Sequence, residues 1–240
     1  MNKQSTTKII AHRGFWKIEG SAQNSIFALK KAAQFGFDGT EFDVHFTKDE
    51  VLIVYHDDEI NGKLIEDSLF EELVSFRLEN NETIPTLKAY LTEAKKYPDL
   101  ELIIEIKSQN NFKHEENAVK ALLQLINDLS VDNQYEFISF SASICSLLKK
   151  NNLDLKVSYL NGDLTPKQIK NLRWNGFDYD YEILLSNPSW LTEAKDLKLS
   201  TNSWTVNDEE IMKQLLDFGI EMITTDEPEL LVEVLKNYVK

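Results

Sequence analysis

Short runs of β-branched and aromatic residues alternate with amphipathic stretches eight times along 240 residues. The runs are Lys8–His12, Thr40–Phe46, Glu101–Lys107, Glu136–Phe140, Leu155–Leu160, Gly176–Tyr181, Lys198–Ser203 and Ile220–Thr224. A helix between two strands carries the chain back to its starting edge, so such strands pair in parallel. Eight units of about 30 residues each match the size of a (β/α)8 TIM barrel. An open doubly wound sheet is the rival. It usually carries a Gly-rich first turn, and no G-x-G-x-x-G occurs in this chain.

The intervening stretches carry helix signals. Asn117–Leu129 sets Ala118, Val119, Leu122, Leu125, Ile126 and Leu129 at helical spacing. Asn207 and Glu210 have the spacing of a capping box opening a helix through Phe218. Thr165-Pro166 reads as an N-cap followed by Pro at the first helical position. Three helix-to-strand turns, around Gly36, Gly176 and Gly219, share an aromatic, a Gly and an acid, which predicts a Gly C-cap in each. The gap between the second and third strands is about twice the others in this regular scheme. Its extra residues, about 57–85, include Asn61-Gly62 and Asn80-Asn81 and read as an insertion over one barrel face within a single domain, 1–240.

Composition excludes several functions. Lys and Arg number 26 against 40 Asp and Glu, a net charge of −14. Such a chain lacks the basic footprint of a nucleic-acid binder and is repelled by anionic lipid. The lone Cys145 rules out an intrachain disulfide and a Cys-based zinc site. No apolar run approaches the roughly 18 residues of a membrane span. The polar stretch Met1–Lys8 lacks a signal-peptide pattern, so the chain as written reads as cytoplasmic, or as periplasmic or secreted if a signal was removed.

Chemistry concentrates at the ends of the first three strands and between them. His12-Arg13-Gly14 closes the first strand, and His56-Asp57 closes the apolar run Val51–Tyr55. Barrel enzymes place their sites at the carboxyl ends of strands, where a His near its ordinary pKa can serve as acid or base. Glu41 and Asp43 share one face of the second strand by its two-residue period. Glu105 and Lys107 share a face of the third. Carboxylates converging from neighbouring strands, with no thiolate, suit a hard divalent ion such as Mg²⁺ or Ca²⁺. The bland readings are a solvated E-x-D, a packed His45 at the barrel rim and a solvated His114 at a helix start. By the same reasoning Asp226 caps the last helix, and Trp204 either lines the mouth or simply packs.

The order of these motifs resembles the glycerophosphodiester phosphodiesterase family. The likeness rests on His12-Arg13-Gly14, Asn24-Ser25, Glu41-Phe42-Asp43-Val44, Thr47-Lys48-Asp49 and Val54-Tyr55-His56-Asp57. It continues through Ile84–Leu87, Glu105-Ile106-Lys107, Ser139-Phe140, Trp204–Asn207 and Thr224–Pro228, nearly the whole chain in order. The resemblance implies a barrel hydrolase that cuts glycerophosphodiesters into glycerol 3-phosphate and an alcohol with a divalent cation. It implies an acid/base pair in His12 and His56, metal ligands in Glu41, Asp43 and Glu105, and phosphate contacts from Arg13 and Lys107. Trp204 is expected to touch substrate. With a divalent ion and two basic side chains, three carboxylates become a slightly cationic pocket inside an acidic protein. One departure stands out: Gln23 occupies a position where the family commonly has an acid near the metal. The rival functions are a phospholipase-type phosphodiesterase on the same barrel and a non-catalytic barrel that binds a phosphate ligand.

Overall fold

Alternating strands and helices curl into a closed ring when the last strand can pair with the first. The computed structural model describes residues 7–238; the residues Met1–Thr6, read above as lacking a signal pattern, lie outside them. The chain runs β1 (Lys8–Ala11), α1 (Ile26–Phe35), β2 (Gly39–Phe46) and the short β3 (Leu52–Val54). A hairpin of β4 (Glu59–Ile60) and β5 (Lys63–Leu64) follows, then a 3₁₀ turn and α2 (Phe70–Leu73). Next come α3 (Leu87–Ala94), β6 (Glu101–Ile106), α4 (Phe112–Leu129), β7 (Tyr135–Ser139), α5 (Ala142–Asn151) and β8 (Val157–Tyr159). The chain ends with α6 (Pro166–Asn171), β9 (Gly176–Asp180), α7 (Tyr181–Ser186), α8 (Ser189–Leu197), β10 (Ser200–Trp204), α9 (Glu209–Phe218), β11 (Met222–Thr225) and α10 (Pro228–Asn237).

β1 pairs in parallel with both β11 and β2, and the ring continues through β6, β7, β8, β9 and β10. The fold is an eight-stranded parallel barrel with helices between the strands, a (β/α)8 TIM barrel. β3 adds to the edge of β2 antiparallel, outside the ring. The two-residue period separates two cores. Phe42, Val44, Leu102, Ile104 and Ile106 face the helices. Ile10, Ile103, Ile138, Leu160 and Met222 fill the barrel interior. Each such side chain contributes about 1.5–3 kcal/mol on burial.

The stretch between β2 and α3 has a small core of its own, in which Ile60, Ile65, Leu73, Leu78 and Ile84 pack with Ala22 and Ile53. Its β4–β5 hairpin turns on Asn61 and Gly62, both at positive φ, the backbone of a two-residue turn whose twist matches the strands.

Several local expectations change. α4 begins at Phe112, five residues before the apolar periodicity starts, because Asn111 accepts from the His114 N–H and caps it. α9 is capped by Asp208, which accepts from Glu210 and Ile211, and not by Asn207. Gly36 and Gly219 end their helices in the left-handed region, as expected. Gly176 does not. It opens β9, where a Cβ would stand 2.2 Å from the Ser200 carbonyl oxygen, so its role is close approach of two backbones. Thr165 does cap α6, with Pro166 following.

Candidate active site

The chemistry-bearing side chains predicted from the sequence gather at the carboxyl end of the barrel, all but His56 carried there by barrel strands or the residues just after them. Parallel strands all point the same way, so His12 after β1, Lys107 after β6 and Trp204 closing β10 share one rim. In the β2–β6 ladder Asp43 lies opposite Glu105, which sets the two carboxylates side by side. Glu41 is two residues earlier on the same inward face. Candidate ligand oxygens of Glu41, Asp43 and Glu105 all lie within 4.8 Å of one another, and all three residues are buried.

Like charges this close need compensation. Lys107 Nζ lies 2.7 Å from Asp43 Oδ1 and 2.8 Å from Glu105 Oε1. Arg13 Nε is 3.5 Å from Asp43 Oδ2. Asn24 donates from Nδ2 to Asp43 at 2.8 Å, and its Oδ1 accepts from the Asp43 N–H. Burial works against ionisation of Asp43, yet the Lys107 and Arg13 charges hold its carboxyl at about 2. Burial and the Asp43 charge push Glu105 up to about 7. Burial, Asp43 and Glu105 raise Glu41 well above the carboxylate range. Two of the three carboxyls are therefore harder to ionise than a free carboxyl, a cost that a nearby cation offsets. Glu105 Oε1 is buried, with the Lys107 ammonium beside it. Three buried carboxylates that converge with oxygen donors alone fit a hard divalent ion.

The first turn is built to bring Arg13 in. Arg13 and Asn24 both take left-handed backbone, with φ of 54° and 59°, uncommon for residues bearing a Cβ and frequent at functional sites. In that turn the Arg13 N–H donates to Glu41 Oε2 at 2.9 Å. Its guanidinium donates to Gln23 Oε1. Gln23 thus holds the arginine, a job its amide oxygen performs without a negative charge. Gly14 sits at φ 79°, against α1, with room for no Cβ.

The two histidines approach from different directions. His12 Nδ1 donates to Asp226 Oδ1 at 2.7 Å, which leaves Nε2 as the free nitrogen, 4.0 Å from Glu41. Asp226 also accepts from Trp16 Nε1 at 3.0 Å and from Asn207 Nδ2 at 2.9 Å. Burial opposes its charge, but these donors and the His12 ring hold its carboxyl well below the usual range. The expectation that Asp226 caps α10 is therefore corrected: that helix has no side-chain cap, and Asp226 holds a histidine. Its neighbourhood follows from barrel closure, which sets the end of β11 beside the end of β1. His56 comes from the loop after β3. Its Nδ1 donates to Asp57 Oδ1 at 2.6 Å. Burial lowers its pKa below the ordinary value, against the pull of Asp43. His45 is buried under it, and its Nε2 donates to the His56 carbonyl at 3.1 Å. His114, expected to be solvated, packs its ring 5.3 Å from that of Phe46.

These groups enclose a cavity of about 120 Å³ lined by His12, Arg13, Glu41, His56, Glu105 and Lys107 on one side. Trp204, Phe140, Leu160 and Asp178 line the other. Trp204 does line the mouth, edge-on to Phe140, and its Nε1 donates to the Asp178 carbonyl at 2.9 Å. An adjoining cleft of about 440 Å³ runs from Arg13 and His56 to Arg77 and Glu79 of the insertion. A larger cavity of about 570 Å³ lies at the opposite end of the strands, among Lys8, Glu101 and Glu136, and contains none of these groups. Among the described residues no helix is long and apolar enough to cross a membrane.

The chain is similar to known proteins along nearly its full length. A crystal structure of a glycerophosphodiester phosphodiesterase from Parabacteroides distasonis superposes with a TM-score of 0.95 at 41% identity, covering 98% of each chain. A glycerophosphodiester phosphodiesterase from Caldanaerobacter subterraneus is 27% identical over 96% of this chain and 98% of its own. An Oleispira antarctica phosphodiesterase, solved in complex with the product sn-glycerol-3-phosphate, shares the fold at a TM-score of 0.82 and 21% identity, over 96% of this chain and 97% of its own. Residues 12–230 match the model of the glycerophosphoryl diester phosphodiesterase family, and the chain belongs to that family.

Proposed function

We propose that this hydrolase of glycerophosphodiesters works with a divalent cation, Mg²⁺ or Ca²⁺, held by Glu41, Asp43 and Glu105, and with proton transfer by His12 and His56. The products are glycerol 3-phosphate and an alcohol. The observation that carries this reading is a single 120 Å³ cavity lined by two imidazoles, two basic side chains and the Glu41 and Glu105 carboxyls of the acidic cluster, with Asp43 behind them. A phosphodiester resists attack because it carries a negative charge, so the site must neutralise that charge, orient a nucleophile and protonate a leaving group.

When bound, a divalent ion supplies Lewis acidity toward the phosphoryl oxygens. Arg13 presents a planar fork to those oxygens, held in place by its own backbone bond to Glu41 and by Gln23. Lys107, now shared between Asp43 and Glu105, keeps a full charge facing the same space. One histidine takes a proton from the attacking hydroxyl, and the other gives one to the departing alkoxide. Asp226 fixes the tautomer of His12, so that Nε2 is its working atom. The leaving alcohol has the cleft beside Arg77 and Glu79 to occupy.

The experiment is release of glycerol 3-phosphate from a panel of glycerophosphodiesters with Mg²⁺, Ca²⁺ or chelator. Alanine at His12 or His56 lowers turnover by roughly 10² or more. Near wild-type turnover in either variant removes the paired-histidine mechanism, and undiminished activity in chelator removes the metal. Binding of substrate with no turnover under any metal leaves a silent phosphate-binding barrel.

A further inference from the structure

The site described above uses one wall of its cavity, and the other wall carries an acid without a task. Asp178 lies on β9, which stands directly across the ring from β2 and its carboxylates. Its side chain is 1% exposed. Asn202 donates to Oδ2 at 3.0 Å, while Oδ1 is buried with no hydrogen-bond partner. A buried carboxyl oxygen left unsatisfied costs free energy, and such groups in native proteins commonly answer to a ligand or a role. Asp178 lines the same cavity as His12 and Arg13, beside the apolar surfaces of Trp204 and Leu160.

We infer that Asp178 is the specificity-determining residue for the glycerol unit, and that its free Oδ1 hydrogen-bonds the terminal hydroxyl farthest from the phosphate. This rests on the glycerophosphodiester reading above. The chemistry of the wall matches a short polyol. Trp204 and Leu160 offer apolar faces to C–H groups, and Asp178 offers a polar point among them. A hydroxyl both donates and accepts, so it satisfies that oxygen whichever protonation state the carboxyl has. The cavity is also small. At about 120 Å³ it suits a three-carbon unit, whereas the 440 Å³ cleft on the other side of His56 is the roomier one. The direction of the substrate follows: glycerol toward β9, alcohol toward the insertion.

The test compares two ligands that differ by one hydroxyl, glycerol 3-phosphate and 1,2-propanediol 1-phosphate, as inhibitors of the metal-loaded enzyme. Wild type should prefer glycerol 3-phosphate by tenfold or more, since a site built around a hydroxyl discriminates against its absence. Asp178→Leu should bring that ratio to near one while leaving the affinity for 1,2-propanediol 1-phosphate within about threefold, and Asp178→Asn, which still offers a polar atom, should keep most of the preference. A ratio unchanged in Asp178→Leu, or equal weakening of both ligands, overturns the assignment. So does a wild-type enzyme with no preference between the two, a result that needs no variant to fold. The broader reading is judged separately, by release of glycerol 3-phosphate from glycerophosphodiesters in the wild type.

Discussion

His12 is held from behind by a carboxylate that is itself held twice. Trp16 and Asn207 fix Asp226, Asp226 fixes the imidazole, and the free Nε2 faces the cavity. A ring free to turn about its Cβ–Cγ bond can present either nitrogen, so on the proposed mechanism this support governs how often His12 is competent. Asp226→Asn keeps the shape but removes the charge and offers an amide in its place. Partners that orient a functional imidazole are typically worth roughly 10–100-fold. The variant should lose that much in kcat with KM within about twofold of wild type. Steady-state kinetics on a glycerophosphodiester decides it, and an unchanged kcat would show that His12 needs no such support.

At the scale of elements, the turn from β1 into α1 is the most constrained segment near the site. Gly14 and Gly20 both have positive φ, 79° and 77°. A Cβ on Gly14 would stand 2.6 Å from the Cβ of Ala28 in α1, whereas one on Gly20 would meet nothing within 4 Å. The two positions therefore separate backbone strain from crowding. Gly20→Ala should cost about 1–2 kcal/mol, the left-handed penalty alone. Gly14→Ala should cost about 2–4 kcal/mol, because overpacking adds to it. Urea unfolding of both variants measures the difference, and equal losses would mean that α1 moves aside freely. The same tight fit explains why Arg13 has its unusual backbone: the chain must turn sharply before α1 and still deliver an N–H to Glu41.

At the scale of the whole molecule, the acidic cluster couples stability to pH and, on the proposed reading, to metal. In the folded, metal-free protein Glu105 titrates at about 7, against an ordinary value of 4.5. Between these values the folded state binds more protons than the unfolded chain. Its contribution to stability is thus complete below about pH 4.5 and is lost as pH rises through 7. Glu41 is shifted in the same direction. Asp43, held at about 2, contributes the opposite slope only at far lower pH. The metal-free protein should accordingly melt at a lower temperature at pH 8 than the remainder of its titration predicts, and Glu105→Gln should flatten that dependence. On the proposed reading a divalent ion binds the ionised carboxylates of the folded state, so added Mg²⁺ or Ca²⁺ should raise Tm more at pH 8 than at pH 5. Scanning calorimetry with and without chelator checks both. An equal rise at the two pH values would mean that the ion binds elsewhere.

The amino-acid order alone determined the repeating strand-helix plan, the inward parity of Glu41 with Asp43 and of Glu105 with Lys107, and the residues at the strand ends. Those follow from local periods, 2 for strands and 3.6 for helices, which any stretch of chain carries within itself. The motif order from His12 to Pro228 likewise carries the family resemblance. What tertiary structure decided are the relations between distant segments. Asp226 reads locally as a helix cap, and only the pairing of β11 with β1 turns it toward His12. Asn207 reads as a cap for the same reason and instead holds Asp226. Asp178 reads as part of a turn, and only closure of the ring sets it across the cavity from β2. Its signal in the sequence was slight: an acid among apolar strand residues. Ring closure sums small rotations over eight strands, and no window of sequence contains that sum.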